Sequence, residues 1–310
     1  MYNFAMIFPG QGSQSIGMLA NLAKEFEVIE KTFAESSNVL GYDLWDLVQN
    51  GSEKELNKTW KTQPALLSAS VAIFRVWQKK KGKIPTLMAG HSLGEYSALV
   101  CADVIDFKSA VKLVELRGQL MQESVPEGMG AMYAIIGLNN ESILASCQQA
   151  TQGQVVSIVN FNSPGQVVIG GEKSAVERAA ALCKAAGAKR TLPLTINVPS
   201  HCALMKPTAK KLAEALKAVV FNKPNIAIIN NVDVKIENSV EGIRHALVRQ
   251  LYNPVRWVET IEFMAKHGIV QLLEIGPGKI LTGLTKRIVS TINSVAINDT
   301  ASLNAALINN

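Results

Sequence analysis

A serine between two glycines is the residue of this sequence best placed for covalent chemistry. The segment Gly90-His91-Ser92-Leu93-Gly94 follows a short apolar run and precedes a stretch that predicts a helix. A sharp strand-to-helix turn needs small residues two before and two after its nucleophile, because the chain passes close to it there. Such a turn would expose the Ser92 hydroxyl and direct backbone N–H groups of the helix at an oxyanion. An ordinary glycine-rich turn is the alternative.

A nucleophilic serine needs a general base, and the sequence has 4 histidines. His201 lies in Val198-Pro199-Ser200-His201, where the chain returns from a segment with a different pattern, and such junctions favour clefts. We therefore predict His201 as the base, with a structural histidine as the alternative. His91 is expected to pack away from the Ser92 hydroxyl. No Asp or Glu stands out as the group that orients the base, and a backbone carbonyl could do so instead. Two histidines are expected at the surface, His245 and His267.

An arginine on a predicted helix is expected to lie inside the protein. Residues 107–123 have a helical pattern, and the neighbours of Arg117 three and four positions away are all apolar: Leu113, Val114, Leu120 and Met121. A buried guanidinium without a partner is costly, so Arg117 is expected to meet a carboxylate. That carboxylate belongs either to the protein or to a ligand, and a planar guanidinium can bind it with two parallel hydrogen bonds.

A loop with two glycines follows the first predicted strand, at Phe8-Pro9-Gly10-Gln11-Gly12-Ser13-Gln14. It does not match a dinucleotide-binding loop, because Ser15 occupies the place of the third glycine. Such a loop can instead offer a backbone N–H beside the nucleophile and complete an oxyanion hole with the N–H of Leu93. The segment Gly276-Pro277-Gly278-Lys279 lacks the spacing of a phosphate-binding loop, so we expect a tight turn there.

Composition argues against several classes of protein. Of the 310 residues, 48% are hydrophobic and 18% are charged, so a large core is expected rather than a disordered chain. The net charge of +6 is spread along the chain and does not indicate a nucleic-acid-binding surface. The 4 cysteines form no C-x-x-C pair, so neither a metal site nor a disulfide framework is expected. Because no secretory signal or membrane-spanning stretch is visible, we expect a cytoplasmic protein without a membrane partner.

The order of the predicted elements indicates an α/β fold with two parts. Short apolar strands alternate with helices before residue 126 and again after residue 199, which predicts a parallel sheet covered by helices. One of these helices is expected over the long apolar run at residues 65–78. The stretch between them has the order β-α-β-β-α-β of a split βαβ unit. We therefore predict a small domain over residues 126–199, inserted into a large domain of residues 1–125 and 200–310.

Six segments occur in an order that resembles one family of enzymes. They are Phe8–Gln14, Thr62–Ala65, Gly90–Tyr96, Arg117, Val198–His201 and Glu274–Lys279. Together they resemble the malonyl-CoA:acyl carrier protein transacylases of bacterial type II fatty acid synthesis. The resemblance implies an α/β-hydrolase-like large subdomain with a parallel sheet, and an inserted ferredoxin-like (βαββαβ) small subdomain. The two implied subdomains agree with the domain boundaries predicted above.

The resemblance also implies the catalytic roles. Ser92 would be the nucleophile, and His201 would act as its base and then as the acid. The backbone N–H groups of Gln11 and Leu93 would form the oxyanion hole. The main-chain carbonyl of Gln250 would orient the histidine, which would account for the missing acidic residue.

Substrate-binding roles are implied for a further set of residues. Arg117 would pair with the malonyl carboxylate, and Gln11 would also bind the substrate. Ser200 resembles the residue found in malonyl-selective members of the family. Asn160 and Asn162 match the strand of the small subdomain that borders the cleft.

The activity implied by the resemblance is a ping-pong acyl transfer. Malonyl-CoA would form a malonyl-serine ester, and the phosphopantetheine thiol of acyl carrier protein would then accept the malonyl group. Malonyl-CoA and acyl carrier protein are thus the expected partners, and no cofactor is implied. Three alternatives remain at this point: a serine esterase or thioesterase, an acyltransferase of a polyketide pathway, and a non-catalytic module that docks a carrier protein.

Overall fold

A computed structural model describes residues 3–195 and 198–309 of the chain. The strands within those residues are β1 (Phe4–Phe8), β2 (Leu87–Gly90), β3 (Gly130–Ile136), β4 (Val156–Ser163), β5 (Gln166–Glu172), β6 (Arg190–Pro193), β7 (Ala227–Ile229), β8 (Gln271–Ile275) and β9 (Asn293–Ile297). The helices of the same residues are α1 (Ala20–Glu25), α2 (Val28–Leu40), α3 (Leu44–Asn50), α4 (Glu53–Leu56), α5 (Thr59–Lys79), α6 (Gly94–Cys101), α7 (Phe107–Gln122), α8 (Asn140–Ala150), α9 (Lys173–Ala185), α10 (Lys206–Lys217), α11 (Val240–Gln250), α12 (Trp257–Lys266), α13 (Ile280–Ile288) and α14 (Thr300–Asn309).

The described strands form two sheets. The first has the order β7-β2-β1-β8-β9, and all of its pairs are parallel. The second has the order β4-β5-β3-β6, and all of its pairs are antiparallel. Helices α8 and α9 connect the strands of the second sheet in the order β-α-β-β-α-β. The predicted fold class, a parallel α/β layer with a ferredoxin-like unit, is confirmed.

The central strand of the parallel sheet is buried on both faces. Successive side chains of a strand point to opposite faces, and those of β1 divide accordingly. Phe4, Met6 and Phe8 pack into the core shared with α5, α6 and α7, whereas Ala5 and Ile7 pack into the core shared with α12 and α13. An unbroken apolar strand is therefore the sequence that this position requires.

Helix α5 contains the run predicted as a helix and begins six residues before it. Pro64 lacks the N–H that would bond to the carbonyl of Trp60, and proline is a common sign of a helix start. The first turn nevertheless forms ahead of it, where Thr62 Oγ1 donates to the carbonyl of Leu56 at 2.6 Å. The proline therefore removes only one hydrogen bond, close to the helix N-terminus.

The carboxyl ends of four neighbouring strands meet at one edge of the parallel sheet. After β2 the chain turns at Ser92 into α6, and after β1 it passes through Gln11. After β7 it reaches Asn231, and after β8 it turns at Gly276 into α13. This edge is the usual ligand-binding edge of an open α/β sheet.

Two glycines close the turn around Ser92, and neither has room for a side chain. A Cβ atom on Gly90 would lie 1.8 Å from the carbonyl carbon of Gly94 and 2.2 Å from the backbone nitrogen of Glu95. A Cβ atom on Gly94 would lie 2.1 Å from the carbonyl oxygen of Phe8. Because these are backbone atoms, no side-chain rotation can relieve the overlap. The spacing of the two glycines is thus a steric requirement of the turn.

We expect Gly90→Ala to destabilise the protein by about 3 kcal/mol or more, because α6 would have to move away from β2. The measurement is urea-induced unfolding followed by circular dichroism. Gly283→Ala in α13 is the matched control, since a Cβ atom there meets nothing within 4 Å. It should stabilise the helix by about 0.5–1 kcal/mol. Equal free energies of unfolding for the two variants would contradict the steric argument.

Candidate active site

Ser92 lies at the tip of the turn between β2 and α6. Its φ of 52° is in the left-handed region, which a non-glycine residue adopts only where its surroundings compensate. Asn231 Oδ1 accepts from the Ser92 N–H at 2.7 Å, and Asn231 Nδ2 donates to the carbonyl of Gly90 at 2.7 Å. Gln250 Nε2 donates to the carbonyl of Ser92 at 3.0 Å. Side chains therefore hold both backbone polar groups of this residue.

The hydroxyl of Ser92 is hydrogen-bonded to His201. The distance between Ser92 Oγ and His201 Nε2 is 2.7 Å, and His201 Nδ1 lies 2.7 Å from the carbonyl oxygen of Gln250. A carbonyl oxygen can only accept, so Nδ1 carries the proton and Nε2 accepts from the serine hydroxyl. A backbone carbonyl thus occupies the place that a carboxylate has in a serine triad.

Arg117 is 1% exposed and reaches the nucleophile, with its Nη2 3.4 Å from Ser92 Oγ. Its other hydrogen bonds go to neutral oxygens: Nη1 donates to Gln63 Oε1 at 2.8 Å, and Nη2 donates to Gln250 Oε1 at 3.0 Å. No carboxylate among residues 3–195 and 198–309 forms an ion pair with it, and its Nε–H has no partner there. The positive charge is therefore available to an anionic ligand.

A buried carboxyl group lies behind these residues. Glu95, in the first turn of α6, is 3% exposed. Its Oε2 accepts from the backbone N–H of Asn231 at 3.0 Å and from Gln250 Nε2 at 2.9 Å. Burial raises the pKa of this carboxyl group to about 7. Glu95 thus joins the two residues that hold the Ser92 backbone.

The two residues predicted to form the oxyanion hole lie on loops that meet at the turn. A Cβ atom on Gly10 would lie 2.4 Å from the carbonyl oxygen of His91, so the loop after β1 packs directly against the turn. The side chain of Gln11 donates to Thr59 Oγ1 at 3.3 Å. Within the described part of the chain, the backbone N–H groups of Gln11 and Leu93 donate to no other group. Free N–H groups are what an oxyanion hole needs, and this role stays a prediction.

Asn160 and Asn162 connect the antiparallel sheet to the segment before α12 and to the turn at Ser92. The distance between Asn162 Oδ1 and His91 Nε2 is 2.9 Å, and the ring of His91 packs edge-on against Trp257. His91 thus makes these contacts instead of one with the nucleophile, as expected. Asn160 is buried and forms an isolated parallel bridge with Val255. The substrate-binding roles of the two asparagines stay predictions.

Three more residues have a predicted role or a predicted exposure: Ser200, His245 and His267. Ser200 is buried, and its Oγ donates to Met132 Sδ at 3.7 Å, so its substrate role also stays a prediction. His245 and His267 are exposed, as expected.

The described residues form neither a metal site nor a membrane-spanning helix. In the described ranges, no group of three His, Cys, Asp or Glu side chains is arranged to hold a metal ion. No described helix has the length and hydropathy needed to cross a bilayer. The four cysteines are buried and unpaired.

Known proteins are similar to this chain over nearly its whole length. The profile of the acyl transferase domain family matches residues 5–305. The malonyl CoA-acyl carrier protein transacylase of Escherichia coli K12 is 64% identical over 307 residues, which cover 99% of both chains. The protein of the same name from Haemophilus influenzae is 65% identical over 306 residues, or 98% of both chains. This chain belongs to that transacylase family.

Solved structures of related proteins have the same fold. The acyl carrier protein S-malonyltransferase of Vibrio cholerae is 65% identical, with a TM-score of 0.96 over 98% of this chain and 99% of its own. A malonyl-transacylase solved in complex with a type II PKS acyl-carrier protein is 72% identical. Its TM-score is 0.99, over 99% of this chain and 100% of its own. As a member of this family, the chain is an acyltransferase.

Sequence reasoning did not single out Glu95, Asn231 or Gln63. Glu95 and Gln63 lie inside two of the segments that carry the resemblance, and those segments were the available signal. Asn231 has no motif around it. Only its place directly after β7, which pairs with β2, could have pointed to it, and that strand order is not visible in the sequence.

The environment of His201 favours the neutral imidazole. Burial, and then the positive charge of Arg117, lower the pKa of His201 to about 3 from its usual 6.5. A histidine with a lowered pKa stays neutral, and able to accept a proton, at every pH well above that lowered value. His201 is therefore able to accept a proton over the whole neutral and mildly acidic range.

We expect the rate at which a fluorophosphonate probe labels Ser92 to change by less than about threefold between pH 8 and pH 5. A histidine that kept the usual pKa of 6.5 would lower this rate about 30-fold over the same range. Labelling is measured as adduct formation by intact mass, with Ser92→Ala as the background control. An apparent pKa near the usual histidine value would contradict the assignment.

Proposed function

We propose that this protein transfers a malonyl group from malonyl-CoA to the phosphopantetheine thiol of acyl carrier protein, and so supplies malonyl groups for fatty acid biosynthesis. One observation carries the proposal: the Ser92 hydroxyl lies between a neutral histidine at 2.7 Å and a buried, unneutralised arginine at 3.4 Å. A nucleophile beside a free cation fits an acyl group that ends in a carboxylate. The names of the relatives described above agree with this substrate.

The first half-reaction forms an ester on the enzyme. His201 Nε2 takes the hydroxyl proton as Ser92 Oγ attacks the thioester carbonyl of malonyl-CoA. The negative charge that develops on the carbonyl oxygen is stabilised by the N–H groups of Gln11 and Leu93. The carbon–sulfur bond then breaks, coenzyme A leaves with the proton from His201, and malonyl-Ser92 remains.

The second half-reaction reverses these steps with a different thiol. His201 Nε2 removes the proton of the phosphopantetheine thiol, and the sulfur attacks the ester carbonyl. The bond to Ser92 Oγ breaks, and the oxygen recovers its proton from His201. General-base help of this kind is worth about 10²–10⁴-fold in rate. The carbonyl of Gln250 keeps the ring of His201 in the required tautomer through both halves.

Arg117 supplies the selectivity for malonyl over acetyl groups. Gln63 and Gln250 fix the guanidinium without cancelling its charge, so a malonyl carboxylate can form charge-assisted hydrogen bonds with it. An acetyl group would leave the buried cation without a counter-charge. Pairing at Arg117 also fixes the ester in one orientation, which disfavours attack by water and distinguishes this transferase from a thioesterase.

The same proposal includes the organisation of the chain. Strands β3 to β6 form a sheet of their own, which also has an isolated bridge between Asn160 and Val255, and a separate hydrophobic core lies among residues 131–188. This supports a small subdomain over residues 126–199 within a large one of residues 1–125 and 200–310. The steps above use only side chains and backbone groups of the protein, so we propose that it needs no cofactor. Buried, unpaired cysteines suit the reducing cytoplasm that we propose as its location.

A basic helix follows the catalytic histidine and is our proposed docking face for the carrier protein. Lys206, Lys210 and Lys211 are all exposed on α10, and carrier proteins of this pathway are acidic. The type of carrier protein that accepts the malonyl group has two candidates, because the 72% identical relative was solved with a carrier protein of a type II PKS. A polyketide carrier protein is therefore the second candidate for the acceptor.

We expect malonyl-CoA alone to add one malonyl group to the protein, at Ser92. Intact mass before and after mixing measures the adduct, and a tryptic digest locates it. Ser92→Ala should form none. Addition of holo acyl carrier protein should remove the adduct and produce malonyl carrier protein, and the rates with a fatty-acid-type and a polyketide-type carrier identify the preferred acceptor. Release of free malonate without a carrier would instead indicate a thioesterase.

We expect Arg117→Ala to lower kcat/KM for malonyl-CoA about 100-fold or more, because two charge-assisted hydrogen bonds are lost. The same variant should keep or increase its activity with acetyl-CoA. Lys112→Ala, an exposed cation on the same helix, is the matched control and should leave both values unchanged. An equal loss with both substrates would mean that Arg117 has only a structural role.

A further inference from the structure

A buried carboxyl group in the site has no part in the reaction as written above. No hydrogen bond joins the Glu95 side chain to Ser92 Oγ or to the imidazole of His201 in the described structure, and no cation there forms an ion pair with it. The nearby Arg249 is already bound to Asp233 by two hydrogen bonds of 2.7 and 2.6 Å. Burying an unpaired carboxyl group opposes folding, so its presence calls for an explanation.

We propose that Glu95 is a positioning residue, which holds Gln250 and Asn231 in a single orientation and thereby fixes both Ser92 and Arg117. The inference rests on the function proposed above and adds a residue to its machinery. Glu95 acts through the two amide residues and does not contact the reacting atoms.

Gln250 is the first of the two residues through which Glu95 acts. Its Nε2 donates to Glu95 Oε2 at 2.9 Å and to the carbonyl of Ser92 at 3.0 Å. Both acceptors lie on the NH₂ side of the amide, so the amide oxygen has to face the opposite way. There it accepts from Arg117 Nη2 at 3.0 Å. Loss of the carboxyl group would allow this amide to rotate and to withdraw its oxygen from the guanidinium.

Asn231 is the second residue. Its backbone N–H donates to Glu95 Oε2 at 3.0 Å, while its side chain binds the N–H of Ser92 and the carbonyl of Gly90. Glu95 therefore fixes the backbone from which this side chain reaches the turn. One carboxyl oxygen thus anchors both contacts that hold the left-handed Ser92 peptide.

The position of Glu95 also explains why Arg117 keeps its charge. A carboxylate in direct contact with the guanidinium would neutralise it and would compete with the substrate. Glu95 lies one amide away, so it orders the arginine through Gln250 and leaves the carboxylate-binding side free. The neutral amide oxygen of Gln250 contacts the guanidinium, and the carboxyl group of Glu95 holds that amide from behind. Together they fix the cation without an ion pair.

Substitution of Glu95 tests this role. Glu95→Met has a similar volume but accepts no hydrogen bond, and we expect it to lower kcat/KM for malonyl-CoA about 100-fold. Acetyl transfer depends on Ser92 but not on Arg117, so kcat/KM for acetyl-CoA should fall only about 10-fold. The ratio of kcat/KM for malonyl-CoA to that for acetyl-CoA should therefore fall about 10-fold. Glu95→Gln keeps a carbonyl acceptor and should show a smaller change in the same direction. If Glu95→Met does not fold, Glu95→Gln alone decides the question.

Glu274 provides the matched control, because it is a buried carboxyl group in another part of the fold. Its two oxygens accept from the N–H groups of Leu281 and Thr282 at the start of α13. Glu274→Gln and Glu274→Met should lower the melting temperature without changing the preference for malonyl-CoA. The proposal would be overturned by a Glu95 variant that keeps the wild-type preference for malonyl-CoA and loses no more activity than an equally destabilised Glu274 variant.

A second readout separates this inference from the proposed function. Labelling of Ser92 by a fluorophosphonate needs no malonyl-CoA, and it should be slower in both Glu95 variants than in both Glu274 variants. A wild-type protein that forms no malonyl adduct would overturn the proposed function. Labelling that is equally fast in the Glu95 and Glu274 variants would overturn the role of Glu95 alone.

Discussion

The 2.7 Å hydrogen bond from the imidazole of His201 to the backbone carbonyl of Gln250 determines the electrostatics of the whole site. A carboxylate in that place would orient the ring equally well, but it would put a second negative charge near a bound malonyl group. Its negative charge would also reduce the positive electrostatic potential of Arg117 at the site. The carbonyl orients the ring through its dipole alone. Among the described residues no carboxylate forms an ion pair with Arg117, and its charge, together with burial, favours the neutral form of His201.

Burial of Arg117 then has to be stabilised without loss of its charge. An isolated cation in a protein interior is destabilised by several kcal/mol relative to water. The amide oxygens of Gln63 and Gln250 replace part of the lost hydration, and the ring of Tyr96 lies 5.3 Å from the guanidinium carbon. The Nε–H stays unpaired, so the solvation is incomplete. In the function proposed above, the substrate carboxylate would complete this solvation.

The parts of this site that depend on local sequence were predictable, and those that depend on strand order were not. The turn at Ser92 is a steric property of five consecutive residues, and the burial of Arg117 follows from the spacing of its helix. The contacts of Glu95 with Asn231 and Gln250 join residues 136 and 155 positions apart, which no local pattern indicates. Helices α1 to α4, α12 and α14, and strand β9, were also missed. In α2 the buried face includes hydroxyl groups that bond to the helix itself, which interrupts the apolar spacing.

Strain at the two central residues links activity to the integrity of the surrounding fold. Ser92 and His201 both have left-handed backbones, with φ values of 52° and 63°. This conformation costs roughly 1–2 kcal/mol for each residue with a side chain. A glycine would remove the strain but also the reacting group, so the cost has to be offset by neighbours. Asn231 binds the N–H of Ser92, and the carbonyl of Leu251 binds the N–H of His201 at 2.8 Å. Asn231 and Leu251 are both distant in sequence from Ser92. The segment around Ser92 therefore does not adopt this conformation by itself. It does so only when β7 and the end of α11 are in place.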